Sequence, residues 1–307
     1  MEIGIDIGGS HTAIAVLEKN NIIEKNETIY RDFDFNKINL IKYIEEYIIE
    51  KVKEFYKKYE IEKIGICFPG IIIDDNKIKA VNLNIENYDL VGNLEKELSN
   101  KITIVNDAKA ATLAEKKYGC LKKYNSAIFL TLGTGIGGGL IANSESLDTA
   151  KPIGLEVGHM LIKKDGLQCK CGKKGCWEKY ASMLALKNKL RKYLEITGYK
   201  IKELTSIKLQ EILIEHEQKE HCLKDMELEK ILDEYVDNLS VGIVTLIDIY
   251  NPEVIGIGGS FVYFKDILLN RLENKLKNNS LLINGNKNIK IEIAQLGNDA
   301  GIIGSII

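Results

Sequence analysis

Two stretches of this chain repeat one design, an apolar strand that runs into glycines and then resumes as a strand. In the first, Ile3-Gly4-Ile5-Asp6-Ile7 breaks at Gly8-Gly9-Ser10, and extended character returns from Thr12 to Leu17. In the second, Ala127 to Leu132 breaks at Gly133 to Gly139 and resumes at Leu140-Ile141-Ala142. Glycine clusters between apolar, β-branched runs read as tight strand–turn–strand corners. A third strand in the first copy, at Ile22-Ile23 or from Glu27 to Tyr30, makes an antiparallel meander. Next, Ile38, Ile41, Ile44, Ile48, Val52 and Phe55 recur at helical spacing, so an amphipathic helix is expected within Asn36 to Lys58. Buried-type strands follow at Ile64 to Phe68, ended by Pro69-Gly70, and at Ile102 to Val105, ended by Asn106-Asp107. Ala108 to Lys117 is alanine-rich and helical, with Gly119 placed to cap it. Beyond the second corner, residues 178 to 250 read as mostly helical, with a poorly periodic stretch near Glu215 to Asp225 and a stop at Asn251-Pro252. A strand at Val254 to Ile257, an extended segment at Ile289 to Ala294 and a closing helix within Gly297 to Ile307 complete the pattern. Strands alternating with helices make an α/β protein, and the repeated corner implies a weak internal duplication.

The length of 307 residues suits two domains, with a boundary expected near Gly119. A 45% hydrophobic content argues against disorder. The balance of 42 Lys+Arg against 44 Asp+Glu leaves a net charge of −2, so no broad basic footprint for DNA or RNA exists. The most apolar stretch, Val241 to Tyr250, is too short to span a bilayer and is interrupted by Asp248. The amino terminus lacks the basic region of a signal peptide, so a cytoplasmic location is expected. In such a reducing compartment the six cysteines are not disulfide staples.

Five motifs carry chemistry. Gly8-Gly9-Ser10-His11-Thr12 fits either an ordinary hairpin turn or a phosphate cradle, in which backbone N–H groups approach phosphate oxygens and the Ser10 and Thr12 hydroxyls add bonds. Asp6, at the end of the preceding strand, is where a magnesium ion or its water would be held. Gly133-Thr134-Gly135-Ile136-Gly137-Gly138-Gly139 holds more glycines than a β-turn needs, which favours a nucleotide-phosphate cradle over a flexible surface loop. Gly256-Ile257-Gly258-Gly259-Ser260 is a weaker signal, where a ribose or flat group can lie against the chain. No Walker string is present, and the amino-terminal glycines lead into a strand where a dinucleotide fold requires a helix. Cys169, Cys171 and Cys176, with His159 upstream, make a Cys₃His zinc set. The alternative is three free thiols, but the surrounding Lys170, Lys173 and Lys174 oppose the burial that free thiols prefer. With every position filled by protein the zinc is structural. Last, Asn106-Asp107, Glu156 and Glu178 are polar groups of the kind that read sugar hydroxyls, against a helix-cap role for Asp107 and plain surface charge for the other two.

In combination and in order, these motifs resemble the ROK family of sugar kinases and repressors, in its bacterial glucokinase-like branch, over essentially the whole chain. The segment Leu296-Gly297-Asn298-Asp299-Ala300-Gly301-Ile302-Ile303-Gly304 also looks like the family's carboxyl-terminal signature. The resemblance implies an actin/hexokinase-like (ribonuclease H-like) fold of two α/β domains with an active-site cleft between them. The small domain is expected at 1–118 plus 297–307, the large one, with the zinc loop, at 119–296. It implies an ATP- and magnesium-dependent kinase acting on the 6-hydroxyl of a hexose, with a structural zinc, working as a homo-oligomer, dimer or tetramer. By matching position Asp107 is the general base, and Asn82, Asn106, Asp107, Glu156, His159 and Glu178 contact the sugar. Asp6, Gly8, Gly9, Ser10, Thr12, Gly133, Thr134, Gly135, Gly258 and Gly259 serve ATP. His159, Cys169, Cys171 and Cys176 hold the zinc, with His159 shared between metal and sugar through its two ring nitrogens.

Three departures bear on specificity. Ser10-His11 stands where the family usually has Thr-Lys, Leu155 where glycine is usual, and Ile85 where many relatives carry tryptophan. Glucose is the expected substrate because Cys-Trp-Glu-Lys-Tyr-Ala-Ser resembles the glucokinase pattern, with N-acetylmannosamine the close competitor and fructose ranked lower. A ROK repressor adds a helix-turn-helix segment in front, whereas this chain begins at the phosphate motif. A non-catalytic sugar sensor would dispense with Asp107 or Asp6, and both are present.

Overall fold

The structure is a computed structural model that describes residues 1–30, 39–73, 77–80, 83, 85–146, 155–200, 204–219, 225–278 and 289–307. The chain divides into two compact units, Met1–Lys123, Gly139–Leu155 and Gln295–Ile307 in one, Tyr124–Gly138 and Glu156–Ala294 in the other.

The first unit opens with β1 (Glu2–Ile7), β2 (His11–Glu18) and β3 (Asn21–Ile29), which form the antiparallel meander. β3 is one strand that takes in Ile22-Ile23 and Glu27 to Ile29, ending just before Tyr30, and its alternate residues are exposed, as on a sheet edge. The helix α1 (Leu40–Tyr56) starts after Asn39, whose side chain accepts the Lys42 N–H. It buries Ile41, Ile44, Ile48, Val52 and Phe55, the periodic stripe read from the sequence, and each such side chain contributes roughly 1.5–3 kcal/mol. The expected beginning of this helix, at 36–38, lies outside the described residues. Then come β4 (Lys63–Phe68), a small antiparallel sheet of β5 (Ile71–Ile73), β6 (Lys77–Ala80) and β7 (Ile85–Asp89), α2 (Leu90–Glu97), β8 (Ile102–Asn106) and α3 (Asp107–Tyr118). The small sheet was not expected. Its sequence signals are the Ile71-Ile72-Ile73 run and the alternation in Lys77-Ile78-Lys79-Ala80, and β6 pairs antiparallel with both β5 and β7. The main sheet runs β3-β2-β1-β4-β8, with β4 parallel to both β1 and β8.

The second unit repeats this plan. Its sheet has β9 (Ala127–Leu132) between β10 (Ile136–Ala142) and β12 (Val254–Gly259), and β12 is parallel to β9 and to β13 (Lys290–Ile293). β10-β9-β12-β13 thus matches β2-β1-β4-β8 strand for strand. β10 starts in this unit, and its later residues belong to the first, where Ile141 and Ala142 pair with β11 (Glu145–Ser146). The helices α4 (Glu178–Ala181), α5 (Met183–Ile196), α6 (Ser206–Glu217), α7 (Met226–Tyr250) and α8 (Lys265–Asn278) complete the unit. Asn251, left-handed at φ 44°, ends α7 before Pro252. The glycine turn is shorter than expected, because Gly137, Gly138 and Gly139 lie inside β10. Packing accounts for one of them: a Cβ at Gly139 would strike the Thr112 side chain of α3.

The last helix, α9 (Ala300–Ser305), belongs to the first unit and lies against α3, β1 and β4. Side chains at Gly4, Gly65 and Gly304 would collide with the backbone oxygens of Ile302, Ser305 and Ala110. Glycine inside a strand marks such close approach, and here it seats α9 against the strands that carry Asp6 and Cys67. No helix among the described residues is long and apolar enough to cross a membrane.

Candidate active site

In the first unit, β1 and β2 meet at Gly9-Ser10, and Gly8 N–H donates to the His11 carbonyl at 2.8 Å to close the corner. A Cβ on Gly9 would meet nothing within 4 Å, and Gly9 does not take a positive φ. Neither a clash nor a positive φ therefore demands glycine there. Gly8 differs, since a Cβ there would sit 2.9 Å from the His11 ring. Ser10 is partly exposed. Thr12 is fully buried with its hydroxyl 3.3 Å from the Tyr30 phenol, so it braces the corner from the inside.

Asp6 and Cys67 are register partners on β1 and β4. Burial raises the Asp6 carboxyl above the ordinary range, opposed by a hydrogen bond from Cys67 and the nearby His11 and Lys25. Burial also drives the Cys67 thiol well up, reinforced by Asp6 and Asp107. At the end of β8, Asn106 is buried, caps α3 by accepting the Ala108 and Lys109 N–H groups, and donates to the Gly70 carbonyl at 3.2 Å. Capping thus falls to Asn106, one position before the residue that the sequence suggested. Asp107 stays exposed at the first position of the helix, with Oδ1 2.8 Å from its neighbour's N–H. Asn82 lies outside the described residues, and Ile85, the tryptophan departure, is buried in the core of the first unit.

In the second unit, the loop before α4 draws four ligand atoms together. Cys169 Sγ lies 3.6 Å from His159 Nδ1 and Cys171 Sγ 3.6 Å from Cys176 Sγ, and all four atoms fall within 4.8 Å of one another. Tetrahedral zinc, with bonds of about 2.3 Å to sulfur and about 2.0–2.1 Å to nitrogen, sets S···S near about 3.8 Å and S···N near about 3.6 Å. The donor set fits. The chain reaches this geometry through bridges at Leu161–Cys176 and Gln168–Lys174, and through Gly175 at φ 82°, where a side chain would strike the Lys163 carbonyl. Trp177 anchors the loop: it is fully buried, its indole N–H donates to the Asn238 carbonyl of α7 at 2.8 Å, and Gly242 leaves room for its ring.

With Nδ1 turned to Cys169, His159 faces Glu156 through Nε2 at 3.7 Å. Burial raises the Glu156 carboxyl, with His159 opposing the shift and Glu178 reinforcing it. Glu178 opens α4 and accepts the Ile136 N–H at 3.2 Å, and a side chain at Gly135 would run into its carboxylate. Glu156, His159 and Glu178 therefore gather beside the Gly133-Thr134-Gly135 turn. Thr134 is exposed, and Gly133, like Gly9, has nothing within 4 Å of an added Cβ and no positive φ. Gly258 and Gly259 have local reasons instead: Phe129 would lie 2.8 Å from a Cβ on the former, and the latter sits at φ 72°.

The ROK family model matches residues 2–307. The chain belongs to the ROK family. A glucokinase of Thermotoga maritima is 30% identical over 99% of this chain and 95% of its own length. A xylose repressor of Bacillus subtilis is 27% identical over 98% of this chain and 75% of the repressor. Among solved structures, a ROK glucokinase from Streptomyces griseus in complex with glucose and AMPPNP superposes with a TM-score of 0.80 at 25% identity, covering 99% of this chain and 97% of that one. The fold is accordingly the actin/hexokinase-like α/β fold of ROK proteins.

Two residues at these sites escaped the sequence reading. Tyr30 packs beneath the first glycine corner. Glu115, fully buried at the far end of α3 from Asp107, accepts backbone N–H groups from Cys120, Gln295 and Leu296. A glutamate inside an alanine-rich helix looks like any solvated charge, and its partners at 295–296 are remote in sequence.

Proposed function

We propose that this ROK protein is an ATP-dependent sugar kinase that phosphorylates the 6-hydroxyl of a hexose, with glucose as substrate and N-acetylmannosamine as the alternative. The observation that carries the reading is the division of labour at the start of α3. Asn106 does the capping, and Asp107 presents an exposed carboxylate. Its role is that of general base. In the loose transition state of phosphoryl transfer the hydroxyl loses its proton late, so placement counts for more than basicity.

The Gly9 and Gly133 corners supply N–H groups and open space for phosphates, helped by Ser10 and Thr134. Gly258 and Gly259 lie at the end of β12 for the nucleoside. Asp6 provides the single carboxylate that a magnesium ion already ligated by phosphates requires. Asn82, Asn106, Glu156, His159 and Glu178 read the sugar hydroxyls. A structural zinc on Cys169, Cys171, Cys176 and His159 Nδ1 fixes the imidazole so that Nε2 is left for the sugar side, next to Glu156. The kinases among the similar proteins support this reading, and the retention of both Asp6 and Asp107 favours it over a sugar sensor.

The test is an ATP-consumption screen of the purified protein against glucose, mannose, N-acetylglucosamine, N-acetylmannosamine, fructose and allose. Glucose is expected to turn over with the highest kcat/KM. Faster turnover of N-acetylmannosamine assigns the alternative, and no turnover of any sugar refutes the kinase.

A further inference from the structure

Tyr30 touches the first glycine corner at three carbonyls. Its backbone N–H donates to Ser10 O at 2.9 Å, and its phenol O–H lies 2.5 Å from Gly8 O and 2.7 Å from His11 O. The ring is fully buried, and burial pushes the phenol up to about 12, so it keeps its proton at any working pH. That proton is shared between two carbonyl oxygens, while the Thr12 hydroxyl sits 3.3 Å from the phenol oxygen.

This arrangement dictates which way the corner faces. A peptide unit is planar and trans, so its C=O and N–H point in opposite directions. With the Gly8 carbonyl drawn toward the buried phenol, the Gly9 N–H points away from it, and a Cβ on Gly9 would meet nothing within 4 Å. Among the described residues, the Gly9 and Ser10 N–H groups have no backbone acceptor. The corner also lacks the usual two-residue hairpin geometry, which takes a positive φ at one or both loop positions; neither Gly9 nor Ser10 has one. Contacts from outside the loop must therefore hold it.

We infer that Tyr30 is a positioning residue for the nucleotide phosphates: its phenol pulls the corner's carbonyl oxygens inward and so presents the Gly9 N–H to an anion. This rests on the reading of the corner as an ATP-phosphate site. The residue touches no substrate and acts through the backbone of Gly8 and His11.

The experiment is calorimetric titration of the zinc-loaded protein with a magnesium-bound, non-hydrolysable ATP analogue, with adenosine and with glucose. Wild type binds the analogue. Tyr30→Phe keeps the ring and loses the donor, so affinity for the analogue falls about 3- to 10-fold, the range of one hydrogen bond. Adenosine and glucose affinities stay within about twofold, as expected for sites that the phenol does not reach, and in turnover KM for ATP rises while kcat is held. Unchanged affinity for the analogue, or an equal loss for adenosine, overturns the role of Tyr30 and leaves the kinase reading standing. A wild-type protein that turns over sugar with ATP but gains nothing from the phosphates over adenosine overturns the phosphate site itself. If Tyr30→Phe does not fold, Tyr30→4-aminophenylalanine restores a donor to the same carbonyls. That variant is expected to bind the analogue like wild type, and a loss of more than about 10-fold, beyond what one hydrogen bond supplies, overturns the inference.

Discussion

Replacing Glu115 by glutamine keeps the shape of the side chain and removes the charge from a fully buried site. In the structure Oε1 accepts from the Gln295 and Leu296 N–H groups, both at 2.9 Å, and Oε2 accepts from Cys120 N–H at 2.8 Å. A glutamine leaves its amide oxygen on the first pair and turns an NH₂ donor on the Cys120 donor. Hydrogen bonds to a charged group contribute about 1.5–3 kcal/mol and neutral ones about 0.5–1.5, so the two retained bonds weaken by roughly 1 kcal/mol each. Facing the Cys120 N–H with a donor in place of an acceptor adds about 1–3 kcal/mol. Together Glu115→Gln costs about 3–5 kcal/mol, a large part of the 5–15 kcal/mol typical of a domain. Urea unfolding at neutral pH measures it. With a slope of about 2–3 kcal/mol per molar, the midpoint falls by about 1–2.5 M. A midpoint within about 0.3 M of wild type at unchanged slope, under 1 kcal/mol, would refute the view that this carboxylate clasps the end of α3 to the returning chain.

Other outcomes follow from the same structure. Metal analysis finds one zinc per chain, and Cys171→Ser loses the zinc and weakens sugar binding; a metal-free, fully active protein contradicts the role given to His159. Because burial raises the Asp6 carboxyl in the folded state, the folded protein holds a proton that the unfolded chain has released, so stability falls as pH rises from the ordinary carboxylate range upward and the penalty is complete once Asp6 ionises. Asp6→Asn therefore raises the melting temperature at pH 8 more than at pH 4 while abolishing turnover, and equal shifts at the two pH values sink the argument. Gly133→Ala leaves stability within about 0.5 kcal/mol, since its Cβ meets nothing, yet raises KM for ATP, whereas Gly304→Val, aimed at the Ala110 carbonyl, prevents folding.

The repeated strand–turn–strand corner was legible because each β-strand on its two sides carries its own apolar signal, and β9 begins and ends where Ala127 to Leu132 does. Short apolar runs ended by turn or polar residues also located β4 and β8, and the α1 stripe located the buried face of that helix. What stayed hidden depends on contacts remote in sequence. The glycines at Gly4 and Gly65 look like weak points in strands until α9 is found lying on them. Gly137 to Gly139 read as turn because nothing local reveals Thr112 across from Gly139. At the metal loop, the spacing of Cys169, Cys171 and Cys176 with His159 upstream singled out the four residues whose ligand atoms the structure gathers within 4.8 Å of one another. The ring nitrogen assigned to the metal, Nδ1, was not legible, because it depends on where the chain turns His159. Thr12 shows the reverse error: its hydroxyl suggested a ligand contact, but strand pairing turns it inward to Tyr30.

The central claim is that Asp107 makes this ROK protein a catalyst. The most direct measurement is the steady-state kcat for glucose 6-phosphate formation by wild type and by Asp107→Asn, which keeps the shape at the start of α3 and leaves the Asn106 cap in place. Wild type is expected to form a 6-phosphorylated product, and kcat to fall by about 10²–10⁴ in a variant that still binds glucose. A variant that turns over within about 10-fold of wild type would contradict this role for Asp107.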